Sequence, residues 1–458
     1  MRGARIAWLA YAALAGVMAA LAIAMWSRAL LLDGPILYGE GAVAHAAILT
    51  RSLAPYADLS GPSFTAANYP PLYFLVAAVG DPFLAGRLAS IVATLAVAIL
   101  IAWRARGAGA LVPGALAVGW LALAPVAIWG PAVKPDLVAL ALTVGGVLAL
   151  ERRRAGLAAA LVVAAVFAKP TAGFVLLALL GWIAWRERSL LVPFARGGLI
   201  AVAVAAIALV PFGYAGVWRH VVLWNALPWS LEPALLLVFL GIVIYAALLG
   251  TGVLARAFSP GPIAAYALAA LPIVLAGGRE GATINYLLDL GAAGSLALAS
   301  VAPRLRLAPL YPLVAVANLV LAALVLDPLG VVPGRAATTG AWGDPSRIAS
   351  AAAELGGDEV LLAEDSGLLI ATGHRVVVDD LFLWSRLVAA GTIDPGPVVT
   401  DVQGARFTAI VSETDLAQLA TAPAYERARW DPSLVRAVTE RYRLAGRPEG
   451  GLFIYRPR

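Results

Sequence analysis

Apolar stretches with few charges recur along the first two thirds of the chain, at residues 6–30, 83–103, 109–128, 135–150, 155–168, 173–185, 197–213, 234–255, 261–276, 286–302 and 307–326. Each runs to roughly 15 to 25 residues, the length of a helix that crosses a hydrocarbon core of about 30 Å. The pattern predicts about eleven transmembrane helices. The polar positions between them fall into two sets. One set is almost purely cationic: Arg2 and Arg5, Arg104 and Arg106, Arg152 to Arg154, Arg186, Arg188 and Arg196, Arg256, then Arg304 and Arg306. The other is mixed in sign and rich in Trp, Tyr, Gly and Pro; it holds Glu40, Asp58, Asp81, Lys134, Asp136, Lys169, Arg219, Glu232 and the Arg279-Glu280 pair. The bias of arginine toward cytoplasmic loops makes the first set cytoplasmic, and an odd number of crossings then puts the C-terminus outside.

After residue 334 the pattern changes. Short β-rich runs at 359–363, 375–378, 407–412 and 451–455 alternate with helical patterns at 345–355 and 432–442, which predicts a small soluble α/β domain at 335–458. No Gly-rich nucleotide motif follows any of these strands. The first outer loop, 33–82, is too long and too apolar for a plain linker. Its segment 41–53 is a short helix expected to lie on the membrane surface, and Asn68-Tyr69-Pro70-Pro71-Leu72-Tyr73-Phe74 opens a second run too short to cross.

Composition agrees. A chain of 458 residues that is 62% hydrophobic and 13% charged exceeds what one soluble core can bury. The formal charge of +6 sits in short loops, where it sets topology and not nucleic-acid binding. The absence of cysteine excludes disulfides and thiolate chemistry, and three scattered histidines make no obvious metal site, so no metal is expected. The first apolar stretch has a basic start but is too long for a signal-peptide core and reads as the first crossing.

Candidate chemistry gathers on the outer face. Glu40, between Gly39 and Gly41 at the start of the first short helix, has two readings: a general base with open access, or a carboxylate that complements the helix dipole. Asp58 lies in a turn-like setting of Pro55, Gly61 and Pro62. Lysine occurs only at Lys134 and Lys169, each followed by proline and each at an outer helix end. The short apolar run before Lys169 places its ammonium within membrane depth, at a cost of roughly 2.5 to 3.5 kcal/mol if unpaired. A lipid phosphate is one partner for it; snorkelling to the headgroups is the other reading. Asp136 either caps the fourth crossing or faces Glu40, and Arg87 meets phosphate or ordinary headgroups. The Gly277 to Tyr286 loop is either a close backbone approach to a ligand or a plain turn. Tyr214, Trp218, Trp224 and Trp229 either stack on sugars or form an interfacial belt.

The order of Glu40, the Arg51 to Asp58 stretch, Tyr69-Pro70-Pro71-Leu72, Arg87-Leu88, Lys134-Pro135-Asp136 and Ala168-Lys169-Pro170 resembles the GT-C membrane glycosyltransferases, the superfamily of protein O-mannosyltransferases and aminoarabinose transferases. The resemblance covers residues 1–330. It implies an inverting, metal-independent enzyme that moves a sugar from a polyprenyl-phosphate donor to an acceptor outside the cytoplasm. No cofactor beyond that lipid-linked donor is implied. Glu40 would be the base and Asp136 a second acid; Lys169, Arg87, Lys134 and Arg279 would hold the donor phosphate; Asp58, Tyr69, Asn285 and Tyr286 would shape the pocket. The alternatives are a lipid-carrier flippase or transporter, or a catalytically degenerate GT-C-like scaffold. Abundant Ala, Gly and Arg with scarce Lys point to a bacterial plasma membrane. The motifs Ala363-Glu364-Asp365-Ser366-Gly367 and Val378-Asp379-Asp380-Leu381-Phe382 resemble tails of other bacterial members, with no role attached.

Overall fold

The structure is a computed structural model describing residues 2–57, 63–305, 309–326, 345–357, 359–448 and 451–458. The chain runs through α1 (Arg2–Leu30), α2 (Glu40–Thr50), α3 (Pro71–Ala77), α4 (Pro82–Arg104), α5 (Leu111–Leu121), α6 (Ala124–Trp129), α7 (Asp136–Glu151), α8 (Ala155–Ala168), α9 (Gly173–Arg186), α10 (Leu191–Leu209) and α11 (Tyr214–Trp218). It continues through α12 (Leu231–Leu254), α13 (Pro262–Ala276), α14 (Leu288–Leu305), α15 (Leu310–Leu326), α16 (Pro345–Glu354), β1 (Leu361–Ala363), α17 (Ser366–Ala371), α18 (Leu381–Ala389), α19 (Gly396–Gln403), β2 (Ala409–Ser412), α20 (Ala424–Arg427), α21 (Pro432–Arg441), β3 (Tyr442–Gly446) and β4 (Phe453–Pro457). Two compact units result. The first comprises Met1–Arg28, Arg87–Ala208 and Pro228–Gly340; the second comprises Ala29–Gly86, Leu209–Leu227 and Ala341–Arg458.

The first unit is a helical bundle of the kind a bilayer demands, since helices satisfy their own backbone groups. Among the described residues, all eleven apolar stretches are helical. The stretch at 109–128 is split into α5 and α6, with Leu123 extended and Pro125 in the first turn of α6. Among the described residues, five helical spans are long and apolar enough to cross a membrane: Arg2–Leu30, Pro82–Arg104, Arg188–Phe212, Leu231–Leu254 and Ile284–Leu305. Shorter apolar helices pack with them, and exposed Leu, Ile and Val side chains cover α10, where Val192, Leu199 and Ile207 are at least 70% exposed. A protein in water would not leave that surface open; a bilayer is its solvent. Helices approach closely where side chains are small: a Cβ on Gly197 would stand 2.3 Å from the Gly156 carbonyl oxygen, so α8 and α10 touch backbone to backbone.

The second unit is built on a mixed sheet of order β1-β2-β4-β3, with β1 parallel to β2 and the other pairs antiparallel. Both faces are covered, which explains why β1 and β2 are buried at every residue instead of alternating. Leu362, Ile410 and Tyr455 face a core with Trp384, Phe407 and Leu434. Leu361, Ala409, Val411 and Ile454 face Ala351, Leu355 and Leu369. Phe64, Ala66 and Trp224, from distant stretches of the chain, complete the first core.

Two expectations change here. Residues 375–378 do not join the sheet; Val378 instead makes an isolated parallel bridge to Phe64 of the 33–82 segment. The strand at Tyr442–Gly446, which the sequence did not announce, takes one edge of the sheet. The helix α2 does not present one apolar side: Glu40, Gly41, Ala42, Val43, Ala44, Ala46, Ala47 and Thr50 are all buried. Its alanines let α17 and α3 pack against it from several directions. In α3 the aromatic residues Tyr73 and Phe74 are fully buried, whereas Leu75 and Val76 are exposed.

Candidate active site

Within the first unit, the sequence Lys169-Pro170 ends α8. The residue before a proline is pushed out of the helical region, and Lys169 is extended, at φ −146° and ψ 118°. Its side chain then meets Asp136, the first residue of α7. The Nζ lies 2.5 Å from Asp136 Oδ1, and the two side chains are 8% and 2% exposed. Asn285, in the 3₁₀ turn Ile284–Leu287, donates its Nδ2 to the same oxygen at 2.7 Å, while Thr283 donates to Asn285 Oδ1 at 2.9 Å. The Tyr286 ring centroid is 4.6 Å from the ammonium. Four residues singled out from the sequence therefore form one buried polar cluster. Asp136 Oδ1 is taken by Lys169 and Asn285 and Oδ2 bonds nothing among the described residues, so of its two sequence readings the helix cap is not realised. Lys169 is turned inward to a carboxylate and does not snorkel. Asp136 Oδ2 is buried with no hydrogen-bond partner among the described residues.

Two residues belong to this neighbourhood that sequence reasoning did not single out. Asp289, one turn after Asn285, accepts a hydrogen bond from the Tyr266 hydroxyl at 2.9 Å. Its charge acts on Lys169. The signal was present, since a carboxylate inside an otherwise apolar helix is a functional pointer in a membrane protein.

Arg87 is fully buried near the start of α4, and Lys134, partly buried two residues before Asp136, acts electrostatically on it. Arg279 pairs through its backbone with Trp229. The glycines of that loop have an internal explanation. A Cβ on Gly278 would lie 2.5 Å from the Trp229 indole nitrogen and 2.5 Å from the Ser230 carbonyl oxygen, and one on Gly277 would lie 2.4 Å from Leu237. Gly281 has φ +79°, a left-handed turn that favours glycine.

Within the second unit, Glu40 begins α2 and is fully buried. Its Oε2 accepts from the Ile36 N–H at 2.8 Å. The flanking glycines again answer to the backbone. Gly39 has φ +79°, and a Cβ on Gly41 would stand 2.1 Å from Gly367 N. Gly39 answers to a left-handed turn and Gly41 to close packing, not to open access to the carboxylate. Tyr69 takes part through its carbonyl, which accepts from the Tyr56 hydroxyl at 2.7 Å. Asp58 lies outside the described residues. Trp224 is buried and stacked 5.6 Å from Phe64, while Trp218 and Tyr214 are exposed.

His220 fixes its own tautomer. The Ala67 N–H donates to Nδ1 at 3.3 Å, so the proton of the neutral ring sits on Nε2, 3.2 Å from the Ala57 carbonyl oxygen. Neither His220 nor the His45–Asp379 pair, 3.1 Å apart, stood out in the sequence.

No protein-family model matches the sequence, and no curated protein matches it. Among solved structures, the chain is similar to ArnT from Cupriavidus metallidurans. The crystal structure of that protein in the apo state aligns with a TM-score of 0.56 at 14% identity, covering 96% of this chain and 97% of that one. Its crystal structure bound to undecaprenyl phosphate aligns with a TM-score of 0.55 at 15% identity over the same shares. The likeness spans bundle and sheet domain alike. At this identity the likeness is one of fold: the chain has the fold of ArnT.

Proposed function

We propose that the chain is a glycosyltransferase that moves a sugar from a polyprenyl-phosphate donor to an acceptor on the outer side of a bacterial plasma membrane. The observation that carries this reading is the end-to-end fold likeness to ArnT, which has been crystallised with undecaprenyl phosphate. The buried Lys169–Asp136–Asn285 cluster supports it, because charged groups kept inside a membrane bundle mark a working site. In the proposed reaction Glu40 takes the proton of the acceptor hydroxyl. The oxygen attacks the anomeric carbon from the face opposite the phosphate, the bond from that carbon to the phosphate oxygen breaks, and the polyprenyl phosphate leaves with the electron pair. Inversion follows from the single displacement.

The leaving phosphate gains charge in a water-poor setting, where a fixed cation is worth more than in bulk water. Lys169 is already neutralised by Asp136, so Lys134, Arg87 and Arg279 are proposed as the further cations. Asp136 Oδ2 is proposed to accept from a substrate hydroxyl, with Tyr69, Asn285, Tyr286 and Asp58 shaping the pocket. The reaction needs no metal and no cofactor besides the donor. The N-terminus is assigned to the cytoplasm and residues 335–458 to the outside.

The test is a reconstitution. Purified protein in liposomes is given labelled polyprenyl-phosphate sugars, and release or transfer of the sugar is followed for wild type, Glu40→Gln and Lys169→Ala. Both variants should lose about 100-fold or more in turnover. Transfer that persists unchanged in both overturns the assignment.

A further inference from the structure

The two C-terminal motifs that carried no role in the sequence meet the segment around Glu40 inside the second unit. Tyr38, two residues before Glu40, receives the Phe382 N–H on its hydroxyl at 3.0 Å and donates to Asp380 Oδ1 at 3.4 Å. Its ring lies 3.9 Å beneath the Arg429 guanidinium. Gly41, one residue after Glu40, lies against Gly367 and Ser366, so closely that a methyl group would not fit. His45 places Nδ1 3.1 Å from Asp379 Oδ2.

Asp379 joins these contacts to one another. Its side chain is fully buried, Oδ1 accepts from the Ala66 N–H at 2.7 Å, and its carbonyl accepts from Ser366 Oγ at 2.6 Å. Its own N–H donates to the Phe64 carbonyl at 3.1 Å. One residue of the C-terminal domain thus holds α2, the 64–66 segment and the start of α17. A carboxylate buried this deeply has a desolvation penalty that surface packing alone would not repay. His45 and Ala66 on its two oxygens, with Ser366 on the backbone carbonyl of the same residue, tie three segments together and give Asp379 a geometric function instead.

We propose that Asp379 is a positioning residue for Glu40: through His45, Ala66 and Ser366 it sets the placement of α2, and the C-terminal domain is the clamp that orients the base. The catalytic consequence rests on the transferase reading; the clamp itself does not. Displacing a base by about 1 Å lowers turnover without changing how the donor is held.

The experiment uses the full chain in lipid nanodiscs, with hydrogen exchange and transferase kinetics measured on wild type, Asp379→Ala and Asp379→Asn. The alanine variant should exchange faster over residues 36–50 and 64–67 while β2 keeps its protection, and its kcat should fall about 10-fold or more with the donor KM within about twofold. The asparagine variant keeps an acceptor for Ala66 and a donor for His45 Nδ1, and should recover most of both readouts. Exchange over 36–50 that matches wild type in the alanine variant overturns the clamp. Faster exchange in a protein whose wild type turns over no donor leaves the clamp standing and removes the transferase reading. Faster exchange with unchanged kcat refutes the orienting role. Should the alanine variant not fold, Ser366→Ala and His45→Ala carry the same two readouts, with the same results expected and the same results fatal.

Discussion

Replacing Asp136 by Asn removes the charge that compensates Lys169 while keeping shape and one hydrogen-bond acceptor. The ammonium is 8% exposed and 2.5 Å from its carboxylate, so no water takes over. Stranding one member of such a buried pair costs about 3–5 kcal/mol. The Tyr286 ring at 4.6 Å still favours the cation, which puts the expected loss at the lower end, about 3 kcal/mol. Replacing Lys169 by Met in the same chain removes the stranded charge, and the double variant should recover about 2 kcal/mol of that loss. Unfolding by SDS in mixed micelles, followed by tryptophan emission, measures each corner of the cycle. Losses that add to within about 0.5 kcal/mol would mean the two side chains do not depend on one another, and the reasoning from burial would be wrong.

Other outcomes follow from the second unit. Gly41→Ala puts a methyl group where the Gly367 nitrogen stands, 2.1 Å away, and should destabilise the fold by about 1–3 kcal/mol in thermal unfolding, whereas Gly80→Ala meets no neighbour and suffers only from its positive φ. Arg429→Met leaves Glu364 and Glu413 without their shared guanidinium, at 2.9 and 2.6 Å, and should lower stability by about 3 kcal/mol; a smaller loss than for an exposed Arg406→Met would contradict the burial argument. Burial pushes the Asp379 carboxyl above its ordinary range, outweighing the His45 hydrogen bond and charge and the Ala66 amide, with the Asp380 charge adding to the rise. Its protonated form is favoured by folding, so this contribution is complete below the unfolded carboxylate range and is lost as pH rises through the raised folded value. The stability of wild type relative to Asp379→Asn should therefore fall as pH rises above the ordinary carboxylate value of about 4, and a relative stability that grows would refute it.

Much of the bundle was legible because each helix announces itself locally. Apolar runs, arginine clusters and Lys-Pro breaks are properties of neighbouring residues, and the described residues of all eleven runs are helical. The Lys169, Asp136, Asn285 and Tyr286 group was legible by scarcity: two lysines in the whole chain cannot be background. What local reading misjudged was space. Gly39, Gly41, Gly277 and Gly278 read as room for a ligand, yet three of them are filled by the chain itself and Gly39 serves a left-handed turn. Their partners lie elsewhere in sequence, Gly367 for Gly41 above all, and no periodicity encodes them. The His45–Asp379 pair escaped for the same reason, with 334 residues between its members.

That separation sets an order on biogenesis. The alanine-lined helix at Glu40–Thr50 leaves the ribosome early, but its cover, Ser366 and Gly367, is among the last quarter of the chain to be made. Contacts so distant form slowly, because the intervening loop must be closed first. Through most of synthesis this segment waits, already carrying Glu40, without the residues that bury it. A polypeptide arrested before residue 341 would lack Ser366 and Gly367 altogether, so completion of the tail is the step that covers the Glu40–Thr50 helix.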